Sequence, residues 1–319
     1  MKLRCAVLDD HQDVALSIAD WTPVADAVEV VSFTRHHDSE DELASALAEF
    51  DVVVTLRERV PFPASLFARL PRLKLLVASG MRNSVIDLDA AREHGVTVCG
   101  TESSPTPPVE LTWALLLSLA RGIVPENNAL RSGGAWQSTV GADLHGQRLG
   151  LLGLGKIGSR VARIGAAFGM DVVAWSPNLT AERAEAAGAK LAASKEELLA
   201  TSDFVSVHLV LGERSRGLLG APELGLMKHT AYLVNTSRAA IVDQEALVAA
   251  LRDGAIAGAA VDVFDVEPLP ADHPMRAVPR LLATPHLGYV SHANYRKYYG
   301  QAVEDIQAFL AGTPVRRIG

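Results

Sequence analysis

Short, predominantly apolar runs recur along the first third of the chain, at 5–8, 28–33, 52–54, 73–78 and 96–99, with helix-patterned stretches such as 41–49 and 88–94 between them. Runs without polar alternation predict strands covered on both faces, and their alternation with helices predicts a parallel sheet. Ser103-Ser104-Pro105-Thr106-Pro107-Pro108 interrupts the pattern with capping residues and helix-starting prolines, and predicts a long helix running to about Arg121. The apolar core of that helix, 111–120, is half the roughly 20 residues of a membrane span, so it is expected to be buried in protein. From Gln147 the alternation resumes, with strand candidates at 148–152, 171–175, 204–207, 231–235, 257–263 and 281–283. After Gly288 only 302–310 has a helical pattern, too little for a domain of its own. The expectation is an α/β protein of two domains, each a parallel sheet flanked by helices. The first is discontinuous, 1–103 plus 289–319, and the larger, 104–288, is doubly wound.

Length agrees with two domains, since 319 residues exceed the roughly 250 to 300 at which single cores stop growing. Composition then removes several classes of function. The formal charge of −7 is dispersed, with no basic cluster to bind nucleic acid. Two cysteines, Cys5 and Cys99, are too few for a disulfide framework or a zinc site and lie in strand-like segments, so both are expected to be buried and reduced. His208, His229, His273 and His292 have neither metal-ligand spacing nor cysteine company, and no metal is expected. The N-terminal apolar run is too short for a signal peptide and reads as a first strand, which favours a cytoplasmic protein without membrane attachment.

The most informative stretch is Gly150-Leu151-Leu152-Gly153-Leu154-Gly155-Lys156-Ile157-Gly158, a G-x-G-x-x-G triplet between an apolar strand and a helix face formed by Val161, Ile164 and Phe168. Gly153 would make the tight turn, Gly155 would let the backbone approach a pyrophosphate, and Gly158 would allow close helix–strand packing. Strand, loop, helix and next strand occur in the order of a dinucleotide-binding (Rossmann) domain. Lys156 and Ile157 fall in the same loop. The acid that usually follows roughly 20 residues on, to bind the ribose 2′-hydroxyl, is absent. Ser176 stands there instead and neither chelates the diol nor repels a 2′-phosphate, leaving NAD and NADP both open, with NAD slightly favoured.

Three further motifs follow: Asn235-Thr236-Ser237-Arg238, Asp262-Val263-Phe264-Asp265-Val266-Glu267-Pro268 and Thr284-Pro285-His286-Leu287-Gly288. With the glycine loop, they closely resemble the D-isomer-specific 2-hydroxyacid dehydrogenases over essentially the whole chain. The resemblance implies that Arg238 grips a substrate carboxylate, that Glu267 pairs with His286, and that His286 handles the proton. The chemistry is consistent with those residue types. A guanidinium binds a carboxylate as a bidentate fork. An imidazolium delivers a proton to the oxygen of a carbonyl that receives hydride, and a neighbouring carboxylate favours the charged ring and fixes its orientation. Each residue also follows the carboxyl end of an expected strand, where open α/β sheets place ligands.

By the same resemblance, Asp262, Thr236, Ser237 and His208 line the cofactor, and the backbone of Ser79-Gly80-Met81 holds the substrate carboxylate together with Arg238. Asp262, an acid ending a strand, has the alternative of capping the next turn. Three departures stand out: Ser176 for the usual acid, Ala239-Ala240 for the common glycine pair, and Ser79-Gly80-Met81-Arg82-Asn83-Ser84-Val85-Ile86-Asp87 for a glycine-rich loop. Arg82 either faces a second anionic group or makes a surface ion pair.

The resulting expectation is hydride transfer between NAD(P)H and a small 2-keto or D-2-hydroxy acid such as glyoxylate or hydroxypyruvate. Two alternatives accompany it. One is a dinucleotide-sensing binding protein, because the C-terminal-binding-protein corepressors resemble this family, although no appended interaction segment is evident. The other is a 3-phosphoglycerate dehydrogenase without a regulatory domain. The resemblance also implies a homodimer built around the long helix after Pro108, a helix apolar enough to be buried between domains instead.

Overall fold

Each of the five N-terminal apolar runs becomes a parallel strand in the computed structural model, which describes residues 2–319: β1 (Leu3–Val7), β2 (Val28–Ser32), β3 (Val52–Thr55), β4 (Leu75–Ala78) and β5 (Thr97–Gly100). They form one sheet in the order β2-β1-β3-β4-β5, one of the two common doubly wound arrangements. Its central strands are buried along nearly their whole length, which is why they lack polar alternation.

By contacts within the chain, Met1–Ser104 and Val290–Gly319 form one unit, and Pro105–Tyr289 the other. The C-terminal helix of the first unit runs His292–Leu310, well upstream of the 302–310 that its pattern predicts. Ser291 caps it by accepting the Asn294 amide, and its first half packs with tyrosines, Tyr295, Tyr298 and Tyr299, whose hydroxyls disguise the apolar face. Tyr298 and Ser103 share a hydroxyl hydrogen bond of 2.8 Å, and the Ile318 amide donates to Val98 O at 2.9 Å, laying the tail along β5.

The second unit contains β6 (Arg148–Leu152), β7 (Asp171–Trp175), β8 (Lys190–Leu191), β9 (Phe204–Val207), β10 (Tyr232–Asn235), β11 (Gly258–Val261) and β12 (Leu281–Ala283). All are parallel, in the order β12-β11-β10-β9-β6-β7-β8. The sequence predicts six of these seven. The exception, β8, is two exposed residues at the sheet edge, too short and too polar to leave a hydrophobic signal. Along β6, Leu149 and Leu151 join one core cluster while Leu152 joins another, so the sheet is covered on both faces. The long helix, Thr106–Arg121, buries Val109, Trp113, Leu115, Leu116 and Ala120 against β10, β11 and the Gly158–Ala167 helix, and stops at Gly122, whose φ of 58° suits a left-handed cap. No described helix is long and apolar enough to cross a membrane.

Candidate active site

Six registered residues, Trp175, Leu152, Val207, Asn235, Val261 and Ala283, form one row across the second sheet from β7 to β12. The residue after each, Ser176, Gly153, His208, Thr236, Asp262 and Thr284, therefore emerges from the same carboxyl edge. At about 4.8 Å between strands, that edge is about 24 Å wide. Strand order reverses between β6 and β9, and ligands of open α/β sheets bind where it does.

The glycine loop lies on that switch point. Gly153 has a φ of 103°, and a Cβ there would lie 2.8 Å from the carbonyl carbon of His208. A Cβ on Gly158 would collide with the Gly153 carbonyl, whereas one on Gly155 would meet nothing within 4 Å. Turn, open approach and tight packing thus fall on the three glycines in the order their spacing predicts. The Gly158–Ala167 helix begins without a side-chain cap, its Ser159 and Arg160 amides donating to Gly155 O and Ile157 O at 3.0 and 2.9 Å, and its N-terminus carries the positive end of the helix dipole at the loop. These features fit the phosphates of a dinucleotide. Ser176 closes a turn by accepting the Leu179 amide at 3.1 Å, and Arg183 Nη1 donates to Asn178 O at 3.2 Å, which brings a cation beside the turn. His208 Nε2 sits 2.9 Å from Ser206 Oγ, and burial of its ring pulls the pKa down to about 4. The ring is neutral near pH 7 and unsuited to donate a proton as an imidazolium.

The bend after β10 is built by Asn235. Its Nδ2 donates to Arg238 O at 3.1 Å and its Oδ1 accepts the Ser237 amide at 3.0 Å, an Asx arrangement that fixes where Arg238 leaves the strand. Arg238 is half-buried, and its Nη1 donates to Ser237 O at 2.8 Å. Thr112 donates to Pro108 O, so at the 2.8 Å contact between Thr112 and Thr236 the Thr236 hydroxyl is the donor. Ser237 Oγ donates to Leu209 O.

Glu267 and His286 meet as the motifs imply: Nδ1 to Oε2 is 2.6 Å, with the side chains only 14% and 19% exposed for histidine and glutamate. Glu267 Oε1 accepts the Phe264 amide at 2.9 Å, which fixes the carboxylate and through it the imidazole. The Tyr289 ring stands edge-on to the imidazole at 5.4 Å between centroids. His286 has a φ of 52°, a left-handed conformation that costs a non-glycine residue roughly 1 to 2 kcal/mol. Asp262, fully buried, accepts from Thr284 Oγ1 at 2.6 Å, from the Leu287 amide at 2.7 Å and from the Gly288 amide at 2.8 Å. Burial raises its pKa, while these donors and His286 oppose the rise.

In the first unit, Ser79-Gly80-Met81 follows β4. Ser79 Oγ accepts the Arg57 amide at 2.7 Å, and Arg57 Nη1 reaches back to Ser79 O at 3.3 Å. Gly80, at φ 101°, has no Cβ where one would lie 2.5 Å from Arg57 Nη1, so the glycine makes room for a guanidinium. Asn83 Nδ2 donates to Arg57 O at 2.8 Å, while Met81 and Arg82 are exposed. Sequence reasoning passed over Arg57, which stands two residues beyond β3 in Leu56-Arg57-Glu58-Arg59, a charged run that gives no sign of which arginine turns back on Ser79. Among the described residues no group of three histidine, cysteine or acidic side chains could hold a metal ion.

Comparison with known proteins identifies the family. Residues 113–288 match the family model described as D-isomer specific 2-hydroxyacid dehydrogenase, NAD binding domain. A glyoxylate reductase of Aeropyrum pernix is 39% identical over 282 residues, covering 85% of this chain and 83% of the relative. A D-3-phosphoglycerate dehydrogenase of Bacillus subtilis is 36% identical over 294 residues, 91% of this chain; the match spans 54% of that longer protein. Among solved structures, a phosphoglycerate oxidoreductase from Vibrio cholerae superposes with a TM-score of 0.92 at 35% identity, covering 97% of this chain and 99% of that one. The chain belongs to the D-isomer specific 2-hydroxyacid dehydrogenases, oxidoreductases that use a nicotinamide dinucleotide, NAD or NADP.

Proposed function

We propose that the chain reduces a short, unphosphorylated 2-keto acid, the first candidates being glyoxylate, to the achiral glycolate, and hydroxypyruvate, to the D-2-hydroxy acid. The observation that carries this reading is the His286–Glu267 pair at the carboxyl edge that also bears the phosphate loop and Arg238. The bound dinucleotide supplies the hydride. Arg238 holds the substrate carboxylate. Glu267, fixed by the Phe264 amide, occupies Nδ1 of His286 and leaves Nε2 to protonate the carbonyl oxygen as its charge grows; in oxidation the neutral ring takes that proton back. Phosphate contacts fall to the amides around Gly153, Gly155, Lys156, Ile157 and Gly158, and Ser176, His208, Thr236 and Ser237 border the cofactor. Ser176 admits either dinucleotide. Loss of reduced-cofactor absorbance, with NADH and NADPH offered separately against glyoxylate, hydroxypyruvate, pyruvate and longer 2-keto acids, and gain of that absorbance with 3-phosphoglycerate and NAD+ or NADP+, test the assignment. Turnover only with phosphoglycerate would replace it, and cofactor binding without any turnover would favour a dinucleotide sensor.

The working unit in this proposal is a homodimer in the cytoplasm. The helix Ile123–Arg131 buries none of its residues within the chain, and Ile123, Val124, Leu130, Trp136 and Val140 are exposed, Trp136 by 78%. Cys5 and Cys99 are both buried and unpaired, in keeping with a reducing compartment. Sedimentation of the wild type and of Trp136→Glu checks the dimer; a wild-type monomer would remove it.

A further inference from the structure

The loop that bears His286 has a support outside its own sequence. His286 stands in left-handed backbone, held locally by its amide donating to Thr284 O at 2.9 Å. On either side of it, the Thr284 hydroxyl and the amides of Leu287 and Gly288 all converge on the carboxylate of Asp262 at 2.6, 2.7 and 2.8 Å. Asp262 begins where β11 ends, its own amide donating to Asn235 O at 3.0 Å, and none of its surface reaches solvent. The packing at Gly288 is close: a Cβ there would come within 3.1 Å of Asp262 Oδ2, so the carboxylate would have to give by a few tenths of an ångström.

We propose that Asp262 is a positioning residue, whose buried carboxylate clamps the Thr284–Gly288 turn and so holds the His286 imidazole in its working place against Glu267. This assigns Asp262 a task beyond lining the cofactor, which the family resemblance implies for it. Both oxygens already accept strong hydrogen bonds, and the carboxylate has no exposed face. A carboxylate is required because all three donors point inward. An amide of the same shape would turn an NH2 toward at least one of them, donor against donor in a buried site. The inference rests on the proposed proton-transfer role of His286, because a clamp on that loop affects turnover only if the imidazole acts.

The test is Asp262→Asn, with Thr284→Val and Thr284→Ser as milder variants that leave both amide bonds in place. Hydrogen exchange on the full-length protein without substrate reads the clamp itself, and exchange of the Leu287 and Gly288 amides should quicken at least about tenfold in Asp262→Asn. Turnover in Asp262→Asn should fall roughly 100-fold through misplacement of the imidazole. The dissociation constant for NADH or NADPH should change less than about threefold, because a clamp acts on kcat rather than on cofactor binding. Thr284→Ser should retain most of the turnover that Thr284→Val loses. Unchanged exchange at Leu287 and Gly288, or a loss of dinucleotide affinity that accounts for the whole loss of turnover, would overturn the proposal. The exchange result stands whatever His286 does chemically, whereas full activity of His286→Ala with the exchange change intact would overturn the functional reading alone.

Discussion

Two loops on the same sheet edge solve the same problem by opposite means. The Gly153–Gly158 loop is shaped by what its residues lack: one glycine takes a φ of 103°, another leaves open space, and a third allows backbone to touch backbone. The Thr284–Gly288 loop is shaped by a partner, a buried carboxylate from the end of the neighbouring strand. A loop that receives a large, anionic ligand is best built of bare amides, which any phosphate can find. A loop that must aim one ring nitrogen needs side-chain ties, because an error of an ångström there is expensive. Each loop should therefore fail in its own way.

The largest effect is expected where the ring itself is lost. His286→Ala should lower turnover by roughly 100 to 10,000-fold while NAD(P)H binds as before, measured as kcat beside the dinucleotide dissociation constant. Near wild-type kcat would remove the histidine from the chemistry. Next in size is Gly158→Ala. Its methyl group would meet the Gly153 carbonyl, and overpacking of this kind costs about 1 to 3 kcal/mol, visible as a lower midpoint in urea. Gly155→Ala, by contrast, should leave stability within about 0.5 kcal/mol and raise the Michaelis constant for the cofactor, since its open side is where the pyrophosphate would lie. Equal stability losses in the two glycine variants would contradict the division of labour within the loop.

The smallest predicted effect lies away from both loops. In the first unit, His36 Nδ1 is 3.0 Å from Asp9 Oδ1, and this hydrogen bond is the main cause of a raised His36 pKa, partly offset by burial. A histidine whose folded pKa lies above its unfolded value of about 6.5 stabilises the protein fully below that value, and the contribution fades as pH rises through the folded pKa. The difference in melting temperature between wild type and His36→Gln should shrink between about pH 5.5 and about pH 8.5. A difference that grows with pH would show the sign to be wrong.

The two loops also explain what the sequence reveals and what it conceals. Glycine requirements are local, so the G-x-G-x-x-G spacing can be read directly, as can the short apolar strands buried on both faces. The pairing of His286 with Glu267 follows from a resemblance that the geometry matches. The ties of Asp262 to Thr284, Leu287 and Gly288, of Thr112 to Thr236, and of Arg57 to Ser79 each join distant positions through ordinary residue types, and no periodicity marks them. The front half of the His292–Leu310 helix went unmarked because Tyr295, Tyr298 and Tyr299 do the work of aliphatic residues. Edge strand β8 is missed because it buries nothing.

The most direct test of the whole account follows the hydrogen. With the reduced dinucleotide deuterated at the transferring carbon, the wild-type enzyme should place deuterium on C2 of the 2-hydroxy acid formed from glyoxylate, hydroxypyruvate or another short 2-keto acid, and His286→Ala should do so far more slowly. Deuterium in no 2-hydroxy acid, with the dinucleotide still bound, would contradict it.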